Sequence, residues 1–410
     1  MQKVIFLVDM NAFFISCEMT RNPSLVGKPS AVAGDPKNRS GIILAANYEA
    51  RSFGVKTTMV IHEALKLCPN LHLVPPDHPF YESKSKQVIA ILSNYSPIVE
   101  QNSIDEAWLD MTGTEGLFGT PLESAKKIMN EIKDSLGLWC SIGISENKFL
   151  SKMASELKKP MGITELWKHD VPTKLWPLPI KAMYGIGKKT ADKLNLLGIQ
   201  TIGELAKCDR KQLTKTFGKY GDELYLHANG HDTSLIEPHC AGEMKSIGRS
   251  TTLPEDINDI EKAKLILLKL TDDIGMTARK YGKRARTVQI TLKYSDFKVV
   301  TRQKTISPTF ATNDIYQAGC ALLEQNWNKF RPVRLIGISI SGFDEDNAMD
   351  QLSLFDFCED ICVDNIKNDK LERIDKAIDK IRTKHGINKI SRASLINKKG
   401  SNSKSYIERI

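Results

Sequence analysis

The sequence predicts a multidomain protein of mixed α/β and α+β class, on three observations. Its 410 residues exceed what one hydrophobic core usually organises. Strand and helix signals alternate through roughly the first 165 residues, give way to short helices between Leu166 and Gly230, and return as strands with two long helices from Met244 to Phe343. Pro172, Pro177 and Pro179 mark the first change of texture.

The elements follow in order. VIFLVD is an apolar run of strand length, and Ala12 to Met19 reads as a helix that ends at the Pro/Gly break NPSLVGKP. PSAVAG and GIILAAN are further short strands, and a long helix covers His78 to Asn94. IVEQNSIDEAWLDM reads as strand, tight turn, strand; Pro121 to Leu136 is a helix and WCSIGIS a strand. This order fits a βαββαβ sheet. Between 166 and 232, Gly185 and Gly187 precede one basic amphipathic helix and Gly198 precedes another, giving two helical hairpins. A glycine turn lets helix N–H groups approach a phosphate, and Lys188, Lys189 and Lys193 add charge.

From 243 to 343, helix signals over Asp259–Lys280 and Asn313–Asn328 and the strands TVQITLKY, KVVTRQKT and VRLIGISISGF fit a small split-βαβ domain. Alternation places Lys293, Lys298, Arg302 and Lys304 on an exposed face. The remainder, 344–410, reads as a flexible tail with the apolar island MDQLSLFDF, a helix candidate KLERIDKAIDKIRTKHG and a disordered end.

Composition is that of an ordinary globular protein, 41% hydrophobic and 26% charged, with a formal net charge of +9. No apolar run approaches membrane-spanning length, and the N-terminal apolar run is too short for a signal segment, so an intracellular, cytoplasmic protein is expected. The eight cysteines are scattered and read as free thiols. Residues 243–343 hold 17 Lys+Arg against 10 Asp+Glu, a net of +7, which suits a phosphate backbone.

The chemistry concentrates in NSIDEAWLDM. Asp105 and Glu106 stand side by side in a stretch otherwise suited to a strand, and adjacent carboxylates call for a cation. Asp9 ends the first strand. A turn at NS allows the three acids to converge, with the Met10 carbonyl as a further ligand. Oxygen-only ligation with room for phosphate favours Mg²⁺, as a pair of ions. Tyr48, Arg51 and Lys56 in ANYEARSFGV, and Lys158 and Lys159 in SELKKPMG, supply donors for a triphosphate.

Taken together, VDMNAFF, NPSLVGKP, ANYEARSFGV, SIDEAWLD, SIGISENKFLSKMAS with KKPMG, GIGKKTADKL and QLSLF resemble the Y-family translesion DNA polymerases of the bacterial polymerase IV (DinB) type, in family order from residue 4 to residue 355. The resemblance implies a right-hand polymerase: palm and fingers over 1–165 with the fingers inserted roughly at 20–78, a helix-hairpin-helix thumb over 166–232, a little finger over 243–343, and a clamp-binding peptide at 351–355. It implies two Mg²⁺ on Asp9, Met10, Asp105 and Glu106. Phe13, Phe14, Tyr48, Arg51 and Lys159 would bind the nucleotide, with Phe14 excluding a ribose 2′-OH. Gly185, Gly187, Lys188 and Lys189 would grip DNA, and Gln351, Leu352, Leu354 and Phe355 would dock on the sliding clamp. Asn11 stands where the family usually has Asp; since it is not one of the three metal acids, activity is expected to survive. Ile42 and Leu44 are bulky at the roof over the nascent base pair, which is expected to narrow tolerance for bulky lesions.

The function implied is low-fidelity, template-directed addition of dNTPs to a primer 3′-OH, without proofreading, by a monomer acting with primer–template DNA and the clamp. Three rivals remain at this point. A nucleotidyl cyclase explains the acids but not the basic domain or the hairpins. A non-catalytic scaffold binding DNA and clamp would not need all three acids. A UmuC-like mutagenic polymerase belongs to the same family.

Overall fold

The computed structural model describes residues 3–35, 41–238, 244–343, 360–386 and 389–395. Residues 3–34 with 42–238 form one unit, and the described residues from 244 onward form another.

In the first unit six consecutive buried residues, Ile5–Met10, make β1, followed by α1 (Phe13–Arg21). A small lobe comes next: β2 (Ser30–Ala33), β3 (Ile43–Ala46), α2 (Tyr48–Ser52), α3 (Ile61–Leu67) and β4 (His72–Val74). There β2 pairs antiparallel with β3 and parallel with β4. Then α4 (His78–Ser93) starts on Asp77, whose carboxylate accepts from the Phe80 N–H. β5 (Val99–Gln101) and β6 (Glu106–Asp110) flank the expected turn. After α5 (Glu115–Phe118), α6 (Pro121–Leu136) has the predicted bounds, set by a Thr120–Glu123 capping box and a left-handed Gly137. β7 (Cys140–Ser145), α7 (Lys148–Leu157) and β8 (Ile163–Glu165) complete a five-stranded sheet of order β5-β6-β1-β7-β8. Phe6, Val8, Leu109 and Ile142 pack with Tyr81, Leu92, Ile128 and Ile132 of α4 and α6 in one core.

Four helices follow: α8 (Lys188–Leu196), α9 (Ile202–Ala206), α10 (Arg210–Phe217) and α11 (Lys219–Ala228). Gly185 and Gly198 take φ +87° and +81°, where a side chain would be strained, and so permit the two turns. Leu194, Ile202, Leu213 and Leu224 share a core with Phe149, Leu150 and Met153 of α7, so the hairpins are built onto α7. Beyond α11 the chain runs back to that helix: the Asn147 amide donates to the Gly230 carbonyl, and Asp232 accepts from the Phe149 N–H at 2.9 Å.

The second unit contains β9 (Ser246–Ile257), α12 (Ile260–Lys280), β10 (Ala285–Tyr294), β11 (Val299–Thr309), α13 (Thr312–Asn326) and β12 (Val333–Phe343). The sheet is antiparallel in order β11-β10-β12-β9, and both helices share its core. Lys298, Arg302 and Lys304 are exposed, but the four do not share one face: Arg302 and Lys304 lie opposite the core residues Ile290 and Val288, with Arg302 donating to Asn326 of α13, whereas Lys293 has the other parity and lies over the Phe297 ring.

The expected flexible tail differs in its described part. α14 (Asp360–His385) and the turn at 389–395 are tied to α12. Arg279 binds Asp375 and Asp379, and Asp272 binds Arg382 and Arg392. The physical reason is helical spacing: Glu372, Asp375 and Asp379 fall on one stripe of α14, opposite Arg284 and Arg279. The QLSLF peptide and the end of the chain lie outside the described residues. Among the described residues, no helix is long and apolar enough to cross a membrane.

Candidate active site

Strand pairing puts the acids together. Asp9 and Glu106 are direct partners in the antiparallel β1–β6 register. The NS turn then folds Asp105 back: the Asp105 carbonyl accepts from the Met10 N–H at 2.8 Å, and the Ser103 hydroxyl donates to the Asp105 carboxylate. Asn102 binds the Glu106 carboxylate from the same turn. All three acids and Met10 line one cavity of about 370 Å³.

The other walls come from the positions expected. Ala12, left-handed at φ 48°, turns the chain from β1 into α1 and brings Phe13 and Phe14 to the cavity. Phe14 stacks on Tyr81. Tyr48, Arg51 and Lys159 line the cavity too. Arg51 donates to the Ala46 carbonyl and stacks over the Tyr48 ring at 4.8 Å, so its guanidinium is held before any ligand arrives. Burial raises the Tyr48 phenol above its ordinary range, with Arg51 and Lys159 pulling the other way, so it enters the site as a hydroxyl donor. Lys56 and Lys158 are exposed and stand outside the cavity lining. Of the two roof residues, Leu44 lines the cavity and Ile42 does not.

Asn11 is buried and also borders the cavity. Its amide donates to Ser141 at 3.0 Å and its carbonyl oxygen accepts from the Met161 N–H at 2.8 Å, tying β1 to the segment after Lys159.

The sequence reading missed Lys152. Its ammonium lies 2.9 Å from Asp9 and 2.6 Å from Glu106. Lys159 also reaches Asp9, at 2.9 Å. Burial opposes the charge on Lys152, but Asp9 and Glu106 outweigh it and hold the group above the ordinary lysine range. As these side chains are placed, no three His, Cys, Asp or Glu among the described residues form a metal-sized cluster. The donor set nevertheless suits hard divalent cations: three carboxylate residues and Met10 line one cavity, and ammonium groups supply the positive charge there.

In the hairpin region, Lys188 and Lys189 are exposed at the start of α8, whose N-cap is Gly187. Lys193 points elsewhere: it donates to the Thr216 carbonyl and covers the Phe217 ring.

Comparison with known proteins agrees along the chain. Residues 8–156 match the impB/mucB/samB family, residues 168–199 the IMS family HHH motif, and residues 244–354 the impB/mucB/samB family C-terminal domain. The DNA polymerase IV of Alkaliphilus oremlandii is 61% identical over 396 residues, 97% of this chain and all of that one. That of Clostridium kluyveri is 60% identical over 97% of this chain and 99% of its own length. DNA polymerase IV 1 of Bacillus subtilis is 41% identical over 98% of this chain and 95% of its own. A solved Y-family DNA polymerase chimera superimposes with a TM-score of 0.75 at 28% identity, covering 83% of this chain and 99% of that structure. With its strand-paired acids, helical hairpins and antiparallel C-terminal sheet, the chain belongs to the impB/mucB/samB family, as a Y-family translesion DNA polymerase of the DNA polymerase IV type.

Proposed function

We propose that the cavity at the ends of β1 and β6 is where a primer 3′-OH meets an incoming dNTP, and that Asp9, Asp105 and Glu106 with the Met10 carbonyl hold two Mg²⁺ there. Dependence on divalent metal comes with the family. The observation that carries this reading is convergence: three acids, a stacked aromatic and three cations from separate segments of the chain line one cavity. When bound, the ions supply the positive charge that the transferring phosphoryl group and the attacking oxygen require.

The chain's own groups do the rest. Arg51, Tyr48 and Lys159 bind the triphosphate from the side facing the acids, so that the 3′-OH attacks the α-phosphate in line and pyrophosphate leaves. Phe14, backed by Tyr81, fills the space a 2′-OH would need. Leu44 roofs the nascent pair. Gly185 and Gly187 let the start of α8 approach the DNA backbone, with Lys188 and Lys189 beside it. Gln351, Leu352, Leu354 and Phe355 are the segment for a sliding clamp. The protein acts as a cytoplasmic monomer on primer–template DNA, at low fidelity and without proofreading.

Primer extension with Mg²⁺ and each dNTP tests this. Asp105→Asn with Glu106→Gln should abolish template-dependent addition while leaving DNA binding intact. A double variant that still extends primers would remove the site from NSIDEA.

A further inference from the structure

We propose that Lys152 is a built-in counter-charge for the metal acids: its ammonium bridges Asp9 and Glu106 until divalent metal arrives, presetting the two carboxylates and setting how much metal is needed to displace it. This rests on the reading that Asp9 and Glu106 hold metal.

The geometry is specific. Asp9 and Glu106 face each other across β1 and β6. Lys152 reaches both from α7, with its side chain 10% exposed. An ammonium has three donors. Two go to Asp9 and Glu106, and the third lies 3.2 Å from Glu156, one helical turn along. All three are therefore spent on carboxylates. A dication seated on Asp9 and Glu106 would repel an ammonium at these distances, so one must leave when the other binds. Glu156, 46% exposed, gives Lys152 a place to retreat without α7 moving.

Two neighbours serve as comparisons. Lys159 touches Asp9 and Glu156 but makes no ion pair with Glu106, so it cannot bridge the pair. Lys148 lies one turn earlier on α7, is similarly buried, and pairs with Glu100 instead.

The test measures binding of Mn²⁺ alone to the full chain, by the loss of the free-ion electron paramagnetic resonance signal, alongside thermal melts in EDTA and in saturating Mn²⁺. Lys152→Met should bind Mn²⁺ roughly tenfold more tightly than wild type, because the competitor is gone. Lys152→Arg should return toward wild type, and Lys148→Met should match it. Lys152→Met should melt several degrees lower in EDTA and recover most of that loss in Mn²⁺, since metal binding stabilises the folded state by mass action. Lys148→Met should be shifted equally in both buffers.

If Lys152→Met binds Mn²⁺ as wild type does, or melts equally low with and without it, while Asp9→Asn with Glu106→Gln loses Mn²⁺, then Lys152 is only structural and the proposal is overturned. If that acid double variant binds Mn²⁺ as well as wild type, the metal-site reading itself fails and the role of Lys152 falls with it.

Discussion

Gly143 of β7 and Ser151 of α7 are in backbone contact: a methyl group on Gly143 would sit 2.0 Å from the Ser151 carbonyl oxygen and 2.5 Å from the Ser155 nitrogen. This close approach seats α7 against the central strands and lets Lys152 reach Asp9. Gly143→Ala must push the helix outward, because both obstructions are backbone. Overpacking of this kind costs about 1–3 kcal/mol or more. The variant should melt lower, and its primer extension should fall by more than its folded fraction explains. Thermal melts and extension on the same preparation check it.

Phe14 has a fixed floor. Its ring lies 4.5 Å from that of Tyr81 at 15°, and the Tyr81 hydroxyl donates to Glu18, itself paired with Arg21. A ring held this way cannot swing aside for a ribose hydroxyl. Phe14→Ala should raise rNTP use relative to dNTP on the order of 100-fold. Tyr81→Leu, which loosens the floor, should shift the ratio the same way by less. Single-nucleotide incorporation with each sugar measures both.

Much of this site was legible in the sequence because it depends on local signals. A strand that ends in Asp and a turn ahead of two acids place Asp9, Asp105 and Glu106, and Thr120, Glu123 and Gly137 define α6 at both ends. What escaped depends on tertiary approach. Lys152 sits in KFLSKMASE, where a lysine reads as solvated; only the missing side chain of Gly143 lets α7 bury it. The strands β4 and β8 are three residues each, too short for a period to show. In β9, SIGRSTTLPEDI carries polar residues and a proline that disguise a twelve-residue strand. The docking of α14 depends on Asp272 and Arg279, about a hundred residues earlier in the chain.

That docking has an asymmetric energetic signature. The Arg279 side chain is 4% exposed and binds Asp375, Asp379, the Phe310 carbonyl and Thr312. Arg279→Met leaves Asp379 without its cation and Asp375 with Arg392 alone, and breaking a buried pair costs about 3–5 kcal/mol. Removing residues 360–410 should cost less, because Arg279 and Asp272 then regain water. Hydrogen exchange across α12 should report the larger loss of protection in the point variant. The reverse order would mean that α14 packs by apolar contact instead.

The lysines of α8 should separate by salt dependence. Lys188 and Lys189 are exposed at the start of α8, whereas Lys193 is engaged with Thr216 and Phe217. Removing one lysine that neutralises a phosphate should flatten the plot of log affinity against log salt by about 0.9. Lys188→Ala and Lys189→Ala should do so on primer–template DNA, and Lys193→Ala should leave the slope unchanged. Fluorescence anisotropy at several salt concentrations decides it.

His227 of α11 stacks on Phe149 of α7, with ring centroids 4.4 Å apart at 13°, joining the two helices. Burial lowers its proton affinity below the ordinary value of 6.5, with Asp232 and Glu223 only partly opposing. The unfolded chain therefore takes up a proton near pH 6.5 that the folded chain declines. Below that pH the unfolded state binds more protons, so stability falls as pH falls, down to the folded value, and is fully present above 6.5. His227→Phe keeps an aromatic stack and removes the proton site. The wild type should lose more melting temperature than this variant between pH 7.5 and 5.5. Equal losses would mean that the imidazole charges freely in the folded state, and that Phe149 holds an imidazolium across the joint.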